Sequence, residues 1–167
     1  MQTEVIHPGA AVLVVIDNCV LLRACTPTEH GHAEALAFIR TIRAHALEGR
    51  VEVHEPTEFL LEFFAAYHKR GAQRNINAIV FQHGPENVDF AREIHAVSKE
   101  AALHLMDVHR KLLPGQPAFT SGADLVYLAL ALRLDATLVT VDGKLLSYSA
   151  IAKVMDPTSF LAELLIG

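Results

Sequence analysis

Four acidic residues stand beside apolar runs. Asp17 closes AVLVVID (11–17) and Asp142 closes TLVTVD (137–142). Asp124 opens the apolar stretch ADLVYLALAL (123–132), and Glu62 lies inside EFLLEFFAAY (58–67). A carboxylate next to buried chain is costly unless something positive meets it. If the strands are parallel neighbours, their carboxyl ends open into one crevice, the place where open α/β sheets bind ligands. Carboxylates gathered there would repel one another. One or two divalent cations with a preference for oxygen, Mg²⁺ or Mn²⁺, would relieve that repulsion. The chemistry this donor set points to is metal-dependent cleavage of a phosphodiester.

Each acid also has a plainer role. Ser121-x-x-Asp124 matches a capping box, Asp142-Gly143 is a common turn pair, and Asp17 before Asn18 can cap a helix. Glu62 resists such a reading, because its neighbours one turn away are Glu58, Phe59, Ala65 and Ala66, and none of them is positive. Thr140 can hydrogen-bond a carboxylate or a phosphate. Arg23, Lys69, Arg70, Arg74 and Lys144 are the candidate phosphate contacts, although any one of them alone reads as surface charge. The ten histidines show neither HExxH nor zinc-finger spacing. His30, His32, His104 and His109 are expected on polar helix faces. Cys19 and Cys25 are expected to be small buried apolar groups.

The elements that must position these residues alternate. The run VLVVI predicts a first strand over 11–16, buried on both faces. Residues 18–24 predict a short helix ending at Thr26-Pro27, and an apolar stripe predicts a second helix from Glu29 to Glu48, stopped by Gly49. Val51–Val53 reads as a short strand, followed by a helix from near Pro56 to Arg70. A third strand is expected at Ile76–Gln82, then a long helix from Val88 to Leu113. The Pro114-Gly115-Gln116-Pro117 loop precedes a helix over 122–134, capped by Thr120 or Ser121, and a strand over 137–141. A short helix from Gly143, a last strand at Ile151–Met155 and a terminal helix opened by Asp156-Pro157 complete the chain. Strands alternating with helices predict an α/β fold with a mainly parallel sheet.

A length of 167 residues fits one domain, 1–167. Hydrophobic residues make up 51 %, a little above the ~45–50 % of soluble chains, and the excess suggests a subunit interface. No apolar run approaches the ~18 residues of a membrane span, and no basic segment precedes the first one, so neither a membrane anchor nor a secretory signal is expected. Two cysteines make no disulfide framework, which fits a reducing, cytoplasmic setting. The net charge of −5 disfavours non-specific affinity for nucleic acid. Any phosphate-binding surface must then be a local cluster.

Taken together, the four acids and their surroundings resemble the PIN-domain family, in particular the VapC-type toxins, over nearly the whole chain. VVIDNCVLL (14–22) is similar to the family's opening strand and its metal-binding Asp, at Asp17. In HEPTEFLLEFFAAY (54–67) a Pro precedes an acidic helix residue by six positions, which places the family's Glu at Glu62. TSGADLVYLALALRLDATLVTVDGKLL (120–146) is similar to the family's helix-opening Asp, Ala/Leu-rich helix, strand and Thr-x-Asp ending, here Thr140-Val141-Asp142. VMDPTSFLAELL (154–165) resembles the closing strand and helix. The chain departs from the pattern after the first Asp. Where the family has a small polar residue and then Asn or Ser, Asn18 comes immediately and Cys19 takes the second place.

The resemblance implies a PIN-like three-layer α/β/α fold with a central, mainly parallel sheet of four to five strands. It implies a ribonuclease in which Asp17, Glu62, Asp124 and Asp142 hold Mg²⁺ or Mn²⁺, with Asn18, Thr140, Lys144 and Arg23 toward the RNA. It further implies the toxin of a type II toxin–antitoxin pair, a homodimer whose antitoxin covers the cleft. The alternative is a non-catalytic PIN-like module that binds RNA or protein. A phosphatase of the haloacid-dehalogenase type also begins with a strand ending in Asp. It needs a second Asp two residues on and then Gly-Thr, where this chain has Cys19, Val20 and Leu21.

Overall fold

The computed structural model describes residues 10–72, 92–112 and 122–166. Five strands form one sheet: β1 (Val12–Ile16), β2 (Val51–Pro56), β3 (Arg92–His95), β4 (Thr137–Val139) and β5 (Val154–Met155). Their order is β3-β2-β1-β4-β5, and every pairing is parallel. Parallel neighbours cannot be joined by a tight turn, so helices supply the crossovers. The described helices are α1 (Asn18–Ala24), α2 (His32–Leu47), α3 (Glu58–Ala72), α4 (Lys99–Leu112), α5 (Gly122–Leu134), α6 (Gly143–Leu146) and, after the last strand, α7 (Pro157–Ile166). Helices flank the sheet as outer layers, the expected α/β/α arrangement.

β1 is central because its sequence suits no other place. Val14, Val15 and Ile16 are fully buried, as a strand covered on both faces requires. α5 is apolar on every side, and residues 127–131 are all buried. A helix with no polar face has to lie inside. It rests on β1, β2 and β4, and α4 covers it in turn. On α2, Phe38 meets Phe160 of α7 edge to face, with ring centroids 6.1 Å apart.

The sequence reading of the first, second, fifth and last helices agrees with α1, α2, α5 and α7, and Asp156 does cap the last through the amides of Thr158 and Ser159. One assignment is corrected. The segment taken as the start of a helix from Val88 to Leu113 contains β3, and α4 starts only at Lys99. Ser98 is the divider. Its hydroxyl accepts the Ala101 amide at 3.2 Å, an N-cap placed in the middle of the supposed helix. The strand expected at 76–82, the loop at 114–117 and the cap at Thr120 or Ser121 lie outside the described residues. β2 also runs three residues beyond its expected end at Val53, which brings His54 and Glu55 into the sheet.

Candidate active site

β1 and β4 are adjacent, and the chain leaves them toward opposite edges of the sheet. Their carboxyl ends therefore bound the crevice at the topological switch point. Asp17 follows β1 directly, and its amide donates to the Val139 carbonyl of β4 at 2.9 Å. Thr140 follows β4. The two side chains meet: Thr140 Oγ1 donates to Asp17 Oδ2 at 2.6 Å, with both residues buried. That separation belongs to a strong charge-assisted hydrogen bond.

Thr140 Oγ1 also accepts the amide of Asp142 at 3.0 Å. One hydroxyl thus ties the two aspartates together. Asp142 is half-buried and spends one oxygen, Oδ1, on the Lys144 amide at 2.8 Å, capping α6. Asp17 likewise caps α1 through the Cys19 amide at 3.2 Å. The capping and site readings of these acids are therefore compatible. A cap uses one oxygen's lone pair, and a carboxylate has about four such sites.

Cys19 corrects the expectation of an inert apolar cysteine. Its thiol donates to Asp17 Oδ2 at 2.8 Å and lies 3.5 Å from Thr140 Oγ1. Burial first, and then the Asp17 carboxylate, push the thiol up to about 12. It stays protonated, and so it is a donor and not a nucleophile. Cys19 thus contributes a second side-chain donor to Asp17 from two positions along the chain. Asn18 is buried.

A second acidic group lies around Tyr127 of α5. Its hydroxyl donates to Glu62 Oε2 at 3.0 Å. Burial, and then the charges of Glu62, Glu55 and Asp17, hold the phenol above its ordinary range. The phenol is a permanent donor to Glu62, and three carboxylates act on it at once. Glu55, fully buried in β2, is the one that sequence reasoning missed. The signal was present: Glu55 is another acid at a strand end, hidden by the assumption that β2 stops at Val53.

Asp124 lies in the first turn of α5, the helix end that carries Tyr127, but its side chain lies outside the described residues. Of the expected phosphate contacts, Lys144 and Lys69 are exposed. Arg23 is half-buried, its side chain 3.3 Å from where a Cβ on Gly31 would stand. Gly31 has φ of 78° at the start of α2, a conformation that favours glycine there. Arg74 and the side chain of Arg70 lie outside the described residues.

The oxygen donors fit Mg²⁺ or Mn²⁺, not a softer metal. Among the described residues, no three of these carboxylates bring oxygens within 4.8 Å of one another. Mg²⁺ is commonly held by one or two carboxylates while it keeps several waters. Asp17 and Asp142, joined through Thr140, suit that mode.

The expectation of surface histidines holds for His30 and His104, which are exposed, and is corrected for His109. His109 is buried, because Ala101, Leu105 and His109 form one inward stripe on α4 at spacings of four. His54 is buried on β2.

No family model matches the sequence, and no curated protein matches it. Solved structures do match in fold. VapBC2 from Rickettsia felis, bound to a DNA fragment from its promoter, superposes with a TM-score of 0.59 at 13 % identity, covering 87 % of this chain and 98 % of that one. PAE2754 from Pyrobaculum aerophilum gives 0.60 at 15 % identity, with 94 % and 99 % covered. VapC20 from Mycobacterium tuberculosis, a sarcin–ricin loop cleaving toxin, gives 0.54 at 11 % identity, with 84 % and 98 % covered. The fold is PIN-like. In this PIN-like fold the switch-point crevice holds Asp17, Thr140 and Asp142, and Tyr127 of α5, which donates to Glu62 of α3, feels the charge of Asp17.

Proposed function

We propose that this protein is a divalent-metal-dependent endoribonuclease, the toxin of a toxin–antitoxin pair. The observation that carries the reading is the Asp17–Thr140–Asp142 linkage at the switch point, with further carboxylates gathered around Tyr127. The relatives in fold support it: one cleaves the sarcin–ricin loop, and another was solved with its promoter DNA.

Asp17 and Asp142 would hold the ion directly, with Glu62, Asp124 and Glu55 close in or acting through water. A cation held there would offset charge on the phosphate and would make water a better nucleophile near neutral pH. Thr140 and the Cys19 thiol fix the rotamer of Asp17, and Tyr127 fixes that of Glu62. Water adds to phosphorus, the bond to the 3′ oxygen breaks, and a proton passes to that oxygen. The products are a 5′-phosphate and a 3′-hydroxyl. Lys144 and Arg23 are the candidate contacts to the RNA backbone. An antitoxin would cover the crevice, and a homodimer accounts for the apolar excess.

The test is Mn²⁺ calorimetry on wild type, Asp17→Asn and Asp142→Asn, with cleavage of single-stranded RNA read from the same samples. The expected result is metal-dependent cleavage in wild type, and neither binding nor cleavage in folded variants. Asp17→Asn removes a like charge from the group but also the charge that strengthens the Thr140 bond, so circular dichroism on the metal-free samples checks that it is folded. Variants that cut RNA normally would refute the assignment. Wild type that binds Mn²⁺ and cuts no RNA would favour the non-catalytic module.

A further inference from the structure

A second cluster lies at the edge of the sheet and has a different chemistry. His54 of β2 and His95 of β3 face each other with Nδ1 of the first 2.9 Å from Nε2 of the second. Glu93 Oε2 lies 3.6 Å from His54 Nδ1 and 3.7 Å from His95 Nε2. The pairing of β2 with β3 explains the meeting, because His54 is in register with Glu93 and His95 follows two residues on, along the same face.

We infer that His54, Glu93 and His95 form a binding site for a transition-metal ion of the zinc class, separate from the acidic crevice. In the plane of those three atoms the equidistant point lies about 2.0 Å from each, and an ion slightly off that plane would stand near the length of zinc bonds to histidine nitrogen and carboxylate oxygen. Two imidazoles and one carboxylate select zinc and its neighbours over Mg²⁺. Three protein ligands leave a fourth position for water.

Two further features support the assignment. His54 is 5 % exposed, so its ring is fixed by packing. Its far nitrogen, Nε2, lies 3.6 Å from Glu52 Oε2. That separation is too long for a hydrogen bond, but the carboxylate charge on the far side of the ring adds to the attraction for a cation. Glu93 is exposed and His95 half-buried, which gives an ion a way in. Strand alternation sends Glu55 to the opposite face from His54, so the sheet itself divides this site from the acidic group.

The ion would clamp the edge strand β3 to β2. The test is Zn²⁺ calorimetry on tag-free, chelator-stripped full-length protein, comparing wild type with His95→Gln, Glu93→Gln, Glu52→Gln and Asp17→Asn. Wild type should bind one Zn²⁺ and gain melting temperature from it. His95→Gln and Glu93→Gln should each weaken binding at least tenfold, and Glu52→Gln less than either. Asp17→Asn should leave it unchanged, while the same substitution removes Mn²⁺ binding. His95 and Glu93 are not deeply buried, so their variants should fold, which circular dichroism checks. No Zn²⁺ binding in wild type, equal binding in His95→Gln, or loss in Asp17→Asn would each overturn the site.

Discussion

Replacing Thr140 with valine should dismantle the acidic crevice without touching an acid. The side chain is fully buried, and its hydroxyl makes two hydrogen bonds, a 2.6 Å bond to Asp17 and a 3.0 Å bond from the Asp142 amide. A bond to a charged group contributes about 1.5–3 kcal/mol, and one between neutral groups about 1. Valine returns roughly 0.8 kcal/mol through its extra buried carbon. The net loss is about 2–3 kcal/mol, and at 2–4 °C per kcal/mol in a chain of this length Tm should fall by about 5–10 °C. Thr140→Ser keeps the hydroxyl and loses one buried methyl, about 1 kcal/mol by analogy with Ile→Val. It should melt only a few degrees lower. Metal-free thermal denaturation of the three proteins measures the difference, and Mn²⁺-dependent RNA cleavage on the same samples should survive in Thr140→Ser and fail in Thr140→Val. If the two variants melt within a degree of each other and cleave alike, the hydroxyl does not organise the site and the reasoning is refuted.

Tyr127→Phe removes the donor to Glu62 and should destabilise the protein by about 1.5–3 kcal/mol, read by urea denaturation, with weaker Mn²⁺ binding if Glu62 then turns away. Cys19→Ser keeps a donor on Asp17 and should cleave RNA at close to the wild-type rate, whereas Cys19→Ala should lose about fivefold, the equivalent of one hydrogen bond of ~1 kcal/mol; equal rates would show that the thiol contact does nothing. At Asp156 the Ser159 side chain, then the Ser159 and Thr158 amides, hold the carboxyl below its ordinary value. Its stabilisation should be complete above the ordinary carboxylate range and lost as pH falls through the lowered value. Asp156→Asn, itself a good N-cap, should flatten that part of the acid-side stability curve, and Asp156→Ala should cost about 1 kcal/mol at pH 7.

What could be read from the sequence followed the strength of local signals. VLVVI admits one interpretation, and so does the apolar run 125–132, because neither leaves a polar face for water. Asp17, Thr140 and Asp142 were legible because they stand directly at the ends of such runs. β3 was not. Its four residues, Arg92 to His95, carry one aliphatic side chain, Ile94, and that is half-exposed. An edge strand owes its existence to the hydrogen bonds offered by β2, and these are invisible in its own sequence. Only Ser98, read as a cap, would have separated it from α4.

The same shortfall concealed Glu55 and His54. Ending β2 at Val53 leaves both in a turn, where neither has a defined direction. Two more residues of strand send Glu55 toward Tyr127 and His54 toward His95, because alternation is strict along a pleated strand. A sequence neighbour is thereby placed on the far side of the sheet. The dipeptide His54-Glu55 then serves two groups of different donor chemistry, oxygen-rich on one face and imidazole-rich on the other. Those donor types favour different ions. Mn²⁺ and Zn²⁺ should therefore compete poorly for this protein, and variants of one group should leave the other's metal in place. That independence follows from the β2 register alone, which sets Val53 opposite Arg92 and His54 opposite Glu93.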